Sequence, residues 1–171
     1  MPQFDPGIFV AICLNEFFYR KRKDEFNYFL TKGTLLLEAY EINDAMECFN
    51  SAIAIKPDND EALWKRGVAR GMSDDLHGAF ADFTLAIKFN PNCKKAYSNR
   101  SKIYRMLNMI PESLADAGKA LELEPKCKIT LNARGTTLLL TGNYEGAIAD
   151  FTRLIKVDRK NGRAYYARGL A

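Results

Sequence analysis

The residues with the most regular chemical pattern are arginines and aspartates that recur at intervals of 34 positions. The arginines are Arg66, Arg100, Arg134 and Arg168, and the aspartates are Asp82, Asp116 and Asp150. Lys32 and Cys48 occupy the two corresponding positions nearer the N-terminus, so both partners are absent there together. Because a guanidinium matches a carboxylate in shape and charge, we predict structural ion pairs between these residues. A row of arginines that receives an acidic ligand is the functional alternative.

Catalytic chemistry has little support in the sequence. The one histidine, His77, lies in the segment SDDLHGAF, where a solvated residue at a helix start is expected. No Ser/His/Asp or Cys/His set, glycine-rich phosphate loop or cluster of metal ligands can be assembled around it. The four cysteines lack the close spacing of zinc and redox sites, so we expect reduced thiols in an intracellular, cytoplasmic protein. We therefore predict no enzyme, cofactor or metal.

Composition describes an ordinary globular protein. The 171 residues are 47% apolar and 27% charged, which is enough for one domain with a core of its own. The net charge of +4 lacks the strong, clustered basic excess typical of nucleic-acid binders, so no nucleic acid is expected.

The elements that must position these residues are repeated. Pro57, Pro91 and Pro125 lie 34 residues apart, each after an apolar run, and define units 26–59, 60–93, 94–127 and 128–161. Residues 162–171 begin a fifth unit or form a truncated cap. Small residues recur at unit position 8, and an aromatic residue recurs at position 24 except at Ala117. Apolar residues at i, i+3 and i+4 predict two amphipathic helices in each unit.

These residues resemble the tetratricopeptide repeat, a 34-residue helix–turn–helix unit with small residues at positions 8 and 20, an aromatic at 24 and proline at 32. The match covers residues 26–171. It implies an all-α, right-handed α-solenoid of helix pairs, with residues 1–25 as an N-terminal capping helix. Ala117, Arg70 and Arg159 depart from the pattern, which suggests local looseness in the third unit.

The resemblance also implies a partner-binding groove, because ligands of the family contact positions 2, 5, 6, 9, 12 and 13 on the first helix of each unit. The groove residues expected here are Trp64, Lys65, Lys95, Asn99, Lys102, Arg105, Asn132, Arg163 and Tyr166. The middle of this groove is basic and carries amide side chains, so it suits an extended, acidic protein or peptide partner. Alternatively, the lysines only solvate an exposed face, and Trp64 only packs against a neighbouring helix.

The resemblance also allows a test for one specific ligand-binding site of the family. Tetratricopeptide co-chaperones that bind acidic C-termini of heat-shock proteins use a two-carboxylate clamp of lysine, asparagine and arginine residues on three successive units. In each of the three possible registers this sequence matches the clamp at one position only: Lys95, Asn99 or Arg163. We therefore expect the clamp to be absent.

The N-terminal apolar stretch from Ile8 to Tyr19 is shorter than the roughly 20 residues that a membrane-spanning helix needs. Its basic cluster, residues 20–23, follows the stretch rather than preceding it, which is unlike a secretory signal. We predict a capping helix that starts at Asp5 and Pro6, and attachment to a membrane surface is the alternative.

The sequence as a whole predicts a non-catalytic scaffold of the adaptor, co-chaperone or assembly-factor type. A helical-repeat RNA-binding module is one alternative. A self-assembling subunit is another, because the segment GRAYYARGLA starts a helix without a polar capping face. This segment predicts either a piece of a longer protein or a homo-oligomer formed through residues 162–171.

Overall fold

The computed structural model describes the backbone of residues 6–171 and the side chains of residues 20–171. Over residues 6–171 the chain forms nine α-helices and no strand, which confirms the predicted all-α class. The helices are α1 (Pro6–Glu38), α2 (Ile42–Ile55), α3 (Asp60–Met72), α4 (Leu76–Phe89), α5 (Lys94–Met106), α6 (Ile110–Leu123), α7 (Lys128–Leu140), α8 (Tyr144–Val157) and α9 (Gly162–Leu170).

The helices stack as successive pairs. The most extensive packing joins α1 to α2, α3 to α4, α5 to α6 and α7 to α8, and smaller interfaces join each pair to the next. The odd-numbered helices also contact one another in the order α1, α3, α5, α7. A stack in which one set of helices approaches more closely curves towards that set, so the odd-numbered helices form the inner layer of the solenoid. We call this surface the concave layer.

Glycine and phenylalanine interlock the two helices of a pair. A Cβ atom added to Gly67 on α3 would lie 2.7 Å from Cε1 of Phe83 on α4, and one added to Gly135 on α7 would lie 3.0 Å from Phe151. These distances are shorter than ordinary van der Waals contact, so only glycine permits this approach of ring and backbone. In the third pair Ser101 takes the place of glycine, and its carbonyl accepts a hydrogen bond of 2.8 Å from the Ser113 hydroxyl.

The turn inside each pair has one common geometry. It contains a residue in the left-handed backbone region, at intervals of 34 positions: Tyr40 (φ 63°), Asp74 (φ 64°), Asn108 (φ 59°) and Gly142 (φ 79°). Aspartate, asparagine and glycine adopt this conformation readily, whereas a tyrosine is strained there. Side-chain caps occur in turns of both kinds: Asn59 and Asn161 accept from Ala62 N–H and Ala164 N–H between pairs, and Asp75 and Asn143 accept from Gly78 N–H and Gly146 N–H inside pairs.

Helix α1 continues from Pro6 to Glu38 without interruption, so the helix does not end at the expected boundary between residues 25 and 26. The connecting residues 20–25 read RKRKDE and include neither glycine nor proline, so nothing in them breaks a helix. The predicted start at Asp5 and the side chains of residues 8–19 lie outside the described residues. Within the described part of the chain, no helix has both the length and the apolarity needed to cross a bilayer.

Candidate functional site

Polar side chains of the odd-numbered helices line a narrow and a wide cleft in the concave layer. The narrow cleft, of about 170 Å³, lies between α5 and the start of α7. Its polar wall includes Lys94, Lys95, Ser98, Asn99, Lys102, Glu124 and Thr130. The wide cleft, of about 500 Å³, extends from α5 across α7 to the start of α9. Its polar wall includes Lys102, Arg105, Asn132, Thr136, Asp158 and Arg163.

Lys102 stands where the two clefts meet, since its side chain lines both. It is half-buried, and its Nζ donates a hydrogen bond of 3.1 Å to Oδ1 of Asn99. Burial lowers the pKa of the Lys102 ammonium from its ordinary value of 10.5, and the nearby guanidinium of Arg105 lowers it further. A desolvated ammonium gains from a negative partner, and no carboxylate among residues 20–171 pairs with Lys102.

The charge of the two clefts is unbalanced. Their acidic residues are already paired, because Glu124 lies 3.2 Å from Lys94 and Asp158 lies 3.3 Å from Lys128. Four cations of the walls have no ion-pair partner among residues 20–171: Lys95, Lys102, Arg105 and Arg163. The clefts therefore carry an excess of positive charge.

Trp64 lies beside the narrow cleft rather than in its wall. Nζ of Lys95 is 4.5 Å from the centre of the indole ring, and Nζ of Lys65 is 5.6 Å from it. Lys65 is otherwise engaged, since it donates a hydrogen bond of 2.7 Å to Thr34 and pairs with Glu61 at 3.1 Å. The indole is half-buried against the core of α3 and α4, so it combines packing with cation–π support for Lys95.

The recurring arginines and aspartates form ion pairs within the second, third and fourth helix pairs, behind the concave layer. Nε and an amino nitrogen of each guanidinium donate to both carboxylate oxygens, at 2.7 to 2.9 Å. The pairs are Arg66 with Asp82, Arg100 with Asp116, and Arg134 with Asp150. Asp82 and Asp150 are 1% exposed, so their charges depend on these bonds.

Two of these guanidiniums also join neighbouring helix pairs. Arg66 donates to Oδ1 of Asn50 at 2.8 Å, and Arg100 donates to Oγ1 of Thr84 at 3.2 Å. The hydrogen bonds to Asp116 raise the pKa of Arg100, and those to Asp150 raise the pKa of Arg134. These arginines are therefore occupied by the fold and are not available to a ligand in the concave layer.

Comparison with protein families gives a match to part of this architecture. The family model of the tetratricopeptide repeat matches residues 130–161, which contain most of α7 and all of α8. This match covers one helix pair, and it shows that this pair resembles the tetratricopeptide repeat. A comparison with curated proteins gave no match.

Solved tetratricopeptide-repeat structures share its fold. A tetratricopeptide repeat protein from Parabacteroides merdae is 21% identical with a TM-score of 0.73, and the match covers 86% of this chain and 59% of that one. YrrB, described as a TPR protein with an unusual peptide-binding site, is 17% identical with a TM-score of 0.70, covering 83% and 73%. The first TPR of Spaghetti (RPAP3), solved bound to the HSP90 peptide SRMEEVD, is 23% identical with a TM-score of 0.66, covering 70% and 94%. This chain thus spans less than two thirds of the Parabacteroides protein.

The residues expected to form the groove divide into three sets. Lys95, Asn99 and Lys102 line the narrow cleft. Lys102, Arg105, Asn132 and Arg163 line the wide cleft. Trp64, Lys65 and Tyr166 line neither cleft, and the Tyr166 ring is 71% exposed on α9.

Ile129 is a cleft residue that the sequence reasoning did not select. It lines both clefts and is 64% exposed, so it supplies an apolar contact beside Lys102. It occupies the same position in its unit as Lys95 does in the preceding one, and this register was the available signal. Ile129 was not predicted because the groove residues were selected mainly for charged and amide side chains.

Proposed function

We propose that this protein is a non-catalytic scaffold that holds an extended, acidic peptide segment of a partner protein along the narrow and wide clefts. The observation that carries the proposal is the row of four unneutralised cations, Lys95, Lys102, Arg105 and Arg163, along one continuous wall. Carboxylates placed against these cations form charge-assisted hydrogen bonds, which orient a ligand more strongly than neutral ones.

The parts of the clefts suit different parts of a peptide. Lys102 binds a carboxylate side chain at the junction, and Asn99 and Asn132 offer amide groups to the extended backbone. Ile129 contacts an apolar side chain next to the acidic one. A motif of alternating acidic and apolar residues therefore fits better than a uniformly acidic one. We expect micromolar affinity, about −8 kcal/mol.

The relatives support this proposal. YrrB is described as having a peptide-binding site, and the Spaghetti domain was solved with the acidic HSP90 peptide SRMEEVD. The free thiols of Cys48, Cys93 and Cys127 support an intracellular location, and an adaptor, co-chaperone or assembly factor in the cytoplasm fits such a scaffold.

The test is a fluorescence-anisotropy titration with matched probes. The acidic probe is a labelled dodecapeptide of alternating serine and glutamate, the neutral probe replaces glutamate by glutamine, and SRMEEVD is a third probe. We expect the wild-type chain to bind the acidic probe, and the K95A/K102A variant to bind it at least about tenfold more weakly, a loss of ~1.4 kcal/mol.

The matched control is K119A/K156A, which removes the same number of positive charges from exposed lysines that line neither cleft. Equal weakening by both double variants would show that only net charge matters and would contradict the proposal. A further titration uses single-stranded RNA over a salt series. Binding of RNA with a steep salt dependence, together with no peptide binding, would favour the RNA-binding alternative instead.

A further inference from the structure

The turns inside the four helix pairs lie together along one rim of the solenoid. Each of them joins the end of an odd-numbered helix to the start of the even-numbered helix that follows it. We call this rim the turn edge and define it as residues 38–44, 72–78, 106–112 and 140–146, which occupy the same positions in their units. Because helices joined by so short a turn run antiparallel, the connections between pairs lie at the opposite rim.

Large apolar side chains are exposed in every segment of the turn edge. Each of them is at least 45% exposed: Tyr40, Met72, Met106, Leu140 and Tyr144. None of these five residues lines the narrow or the wide cleft. An exposed apolar row marks a contact surface when it is rimmed by polar residues, because a partner that covers it releases the water held there.

The turn edge is also acidic, although the whole chain has a net charge of +4. Its four segments contain seven aspartates and glutamates and no lysine or arginine. Asp75 lies 3.7 Å from Arg70, and the other six carboxylates have no ion-pair partner among residues 20–171. Some of these acids stabilise the fold, because Asp44, Glu112 and Glu145 lie in the first turns of even-numbered helices, where the helix dipole favours negative charge.

Three carboxylates of the turn edge have no such role. Glu38 is the last residue of α1, where the helix dipole disfavours a negative charge. Glu41 precedes α2, but its side chain makes no capping hydrogen bond. Asp74 occupies the left-handed turn position that Asn108 and Gly142 fill without a charge. The turn edge therefore carries negative charge that its own helices do not use.

We propose that the turn edge is a docking surface for a basic amphipathic helix of a partner protein. The apolar side chains of such a helix pack on the exposed row, and its lysines and arginines pair with the unused carboxylates. Packed helices lie about 10 Å apart, and seven residues of a helix rise about 10.5 Å, so apolar residues seven positions apart meet successive turns. A helix of about 20 residues spans all four turns.

Further residues of the same chain do not cover this surface. An added helix pair would stack on the end of the solenoid, as α3 stacks on α2 and α5 on α4, so the existing four turns would stay exposed. The rest of α1 runs away from the turn edge, because α1 reaches it with its C-terminal residue, Glu38.

A second copy and a lipid surface are also poorer occupants than a basic helix. The unpaired cations of the concave layer line clefts of about 170 and 500 Å³, which receive a single extended chain rather than a row of four turns. The basic cluster at residues 20–23 covers one helical turn and is followed directly by Asp24 and Glu25. An anionic lipid surface is repelled by the unpaired carboxylates.

The test is a fluorescence-anisotropy titration of the whole chain with two basic peptides. The first is a labelled peptide of about 21 residues built from leucine, lysine and alanine, with leucines on one face of the helix and lysines beside them. The control peptide has the same composition in an order that distributes leucine around the helix. We expect the wild-type chain to bind the amphipathic peptide at least about tenfold more tightly than the control peptide.

Variants of the unused carboxylates test the charge of the turn edge. E38Q/E41Q/D74N is expected to weaken binding of the amphipathic peptide at least about fivefold. The matched control is E25Q/E47Q/D58N, which removes the same number of exposed carboxylates away from the turn edge and should change the affinity less than about twofold. K95A/K102A should not weaken it, so this result is independent of the function proposed for the clefts.

Variants of the apolar row test its packing on the peptide. M106Q/L140Q is also expected to weaken binding at least about fivefold, because it removes apolar contact area. Its control is L85Q/F89Q, which replaces two exposed apolar residues of α4 away from the turn edge. All four side chains are exposed, so both variants should melt as the wild type does in circular dichroism.

Three results would overturn the proposal. The first is a wild-type chain that does not bind the amphipathic peptide, or that binds both peptides equally. The second is equal weakening by a turn-edge variant and its matched control, since the position of the changed residues would then be irrelevant. The third is a dimer of the wild-type chain in light scattering that M106Q/L140Q dissociates, since that would assign the turn edge to a second copy.

Discussion

Asp82 shows how much this fold depends on single polar residues. Arg66 binds both of its oxygens, at 2.9 and 2.7 Å, and an amino nitrogen of Arg70 approaches to 3.0 Å. The carboxylate is 1% exposed, so water cannot replace these bonds. A buried charge that loses its partner is more costly than the pair is stabilising, and this asymmetry makes such residues sensitive to substitution.

We expect Asp82→Asn to lower the free energy of unfolding by about 3 kcal/mol, because it leaves the half-buried guanidinium of Arg66 without a counter-charge and takes from Arg70 the nearer of its two carboxylates. Urea denaturation measures the change. Asp58→Asn, at an exposed turn position, is the control and should change stability by less than about 0.5 kcal/mol. The R66Q/D82N double variant should lose less than the sum of its single losses; strict additivity would show that the pair is not energetically coupled.

Lys102 carries a charge that burial disfavours in the folded state, and unlike Asp82 it has no ion-pair partner among residues 20–171. Its pKa is lowered by burial, so the folded state disfavours the protonated form relative to the unfolded chain. The protonated amine thus costs stability at neutral pH, and the cost disappears as the pH rises through the lowered pKa towards 10.5. Retaining such a residue makes sense if a ligand supplies the missing charge.

We therefore expect Lys102→Met to raise the free energy of unfolding at pH 7 by about 0.5 kcal/mol and to weaken binding of the acidic probe. The stability gain should shrink when denaturation is repeated near pH 10, because the wild-type amine is then partly neutral. Lys102→Arg keeps the charge and should retain binding. A variant in which methionine destabilises the protein at pH 7 would contradict the view that the ammonium is poorly solvated.

At the scale of elements, the spacing of glycine and phenylalanine sets how closely the helices of a pair approach. Helix α3 carries two glycines in different surroundings: a Cβ atom added to Gly67 would lie 2.7 Å from the Phe83 ring, whereas one added to Gly71 would lie 3.9 Å from Cβ of Ala79. There is no room for a methyl group at position 67, whereas there is room for one at position 71. The two glycines thus separate the effect of packing from the effect of helix propensity.

Gly67→Ala is expected to destabilise the protein by about 1–2 kcal/mol, because overpacking against the buried Phe83 ring exceeds the gain in helix propensity. Gly71→Ala is expected to stabilise it by about 0.5–1 kcal/mol, since alanine favours the helix and meets only ordinary contacts. Chemical denaturation of the two variants measures both signs. Stabilisation by Gly67→Ala would show that the helices can separate without cost.

The sequence predicted the elements of this fold better than it predicted the details of the clefts. The helix pairs could be predicted because the helical periodicity and the 34-residue repeat can both be recognised in the amino-acid sequence. The strained turn at Tyr40 could not be anticipated, because only the repeating geometry of the other turns forces a tyrosine into the left-handed region. Similarly, Tyr166 occupies a position that the family uses for ligands, yet neither cleft reaches it, since clefts depend on three-dimensional curvature.

At the scale of the molecule, each helix pair contacts only its sequence neighbours. The stability of such a stack is nearly a sum of local terms, so its ends open more readily than its middle. Helix α9 packs on α8 and has no following helix among the described residues, so its amides should exchange with solvent faster than those of α5 and α7. The proposed ligand contacts helices of different local stability, because the wide cleft joins α5, α7 and α9 through Arg105, Asn132 and Arg163.

Hydrogen–deuterium exchange monitored by mass spectrometry can therefore test the position of the ligand. Binding of the acidic probe is expected to slow exchange in α9 and the start of α7, by a factor that grows with probe concentration, and to leave α2 and α4 unchanged. The K95A/K102A variant should show no such slowing, whereas K119A/K156A should behave as the wild type does. Uniform protection of all nine helices would instead indicate a non-specific effect of the anionic peptide, because only a ligand seated across the wide cleft couples α9 to α5 and α7.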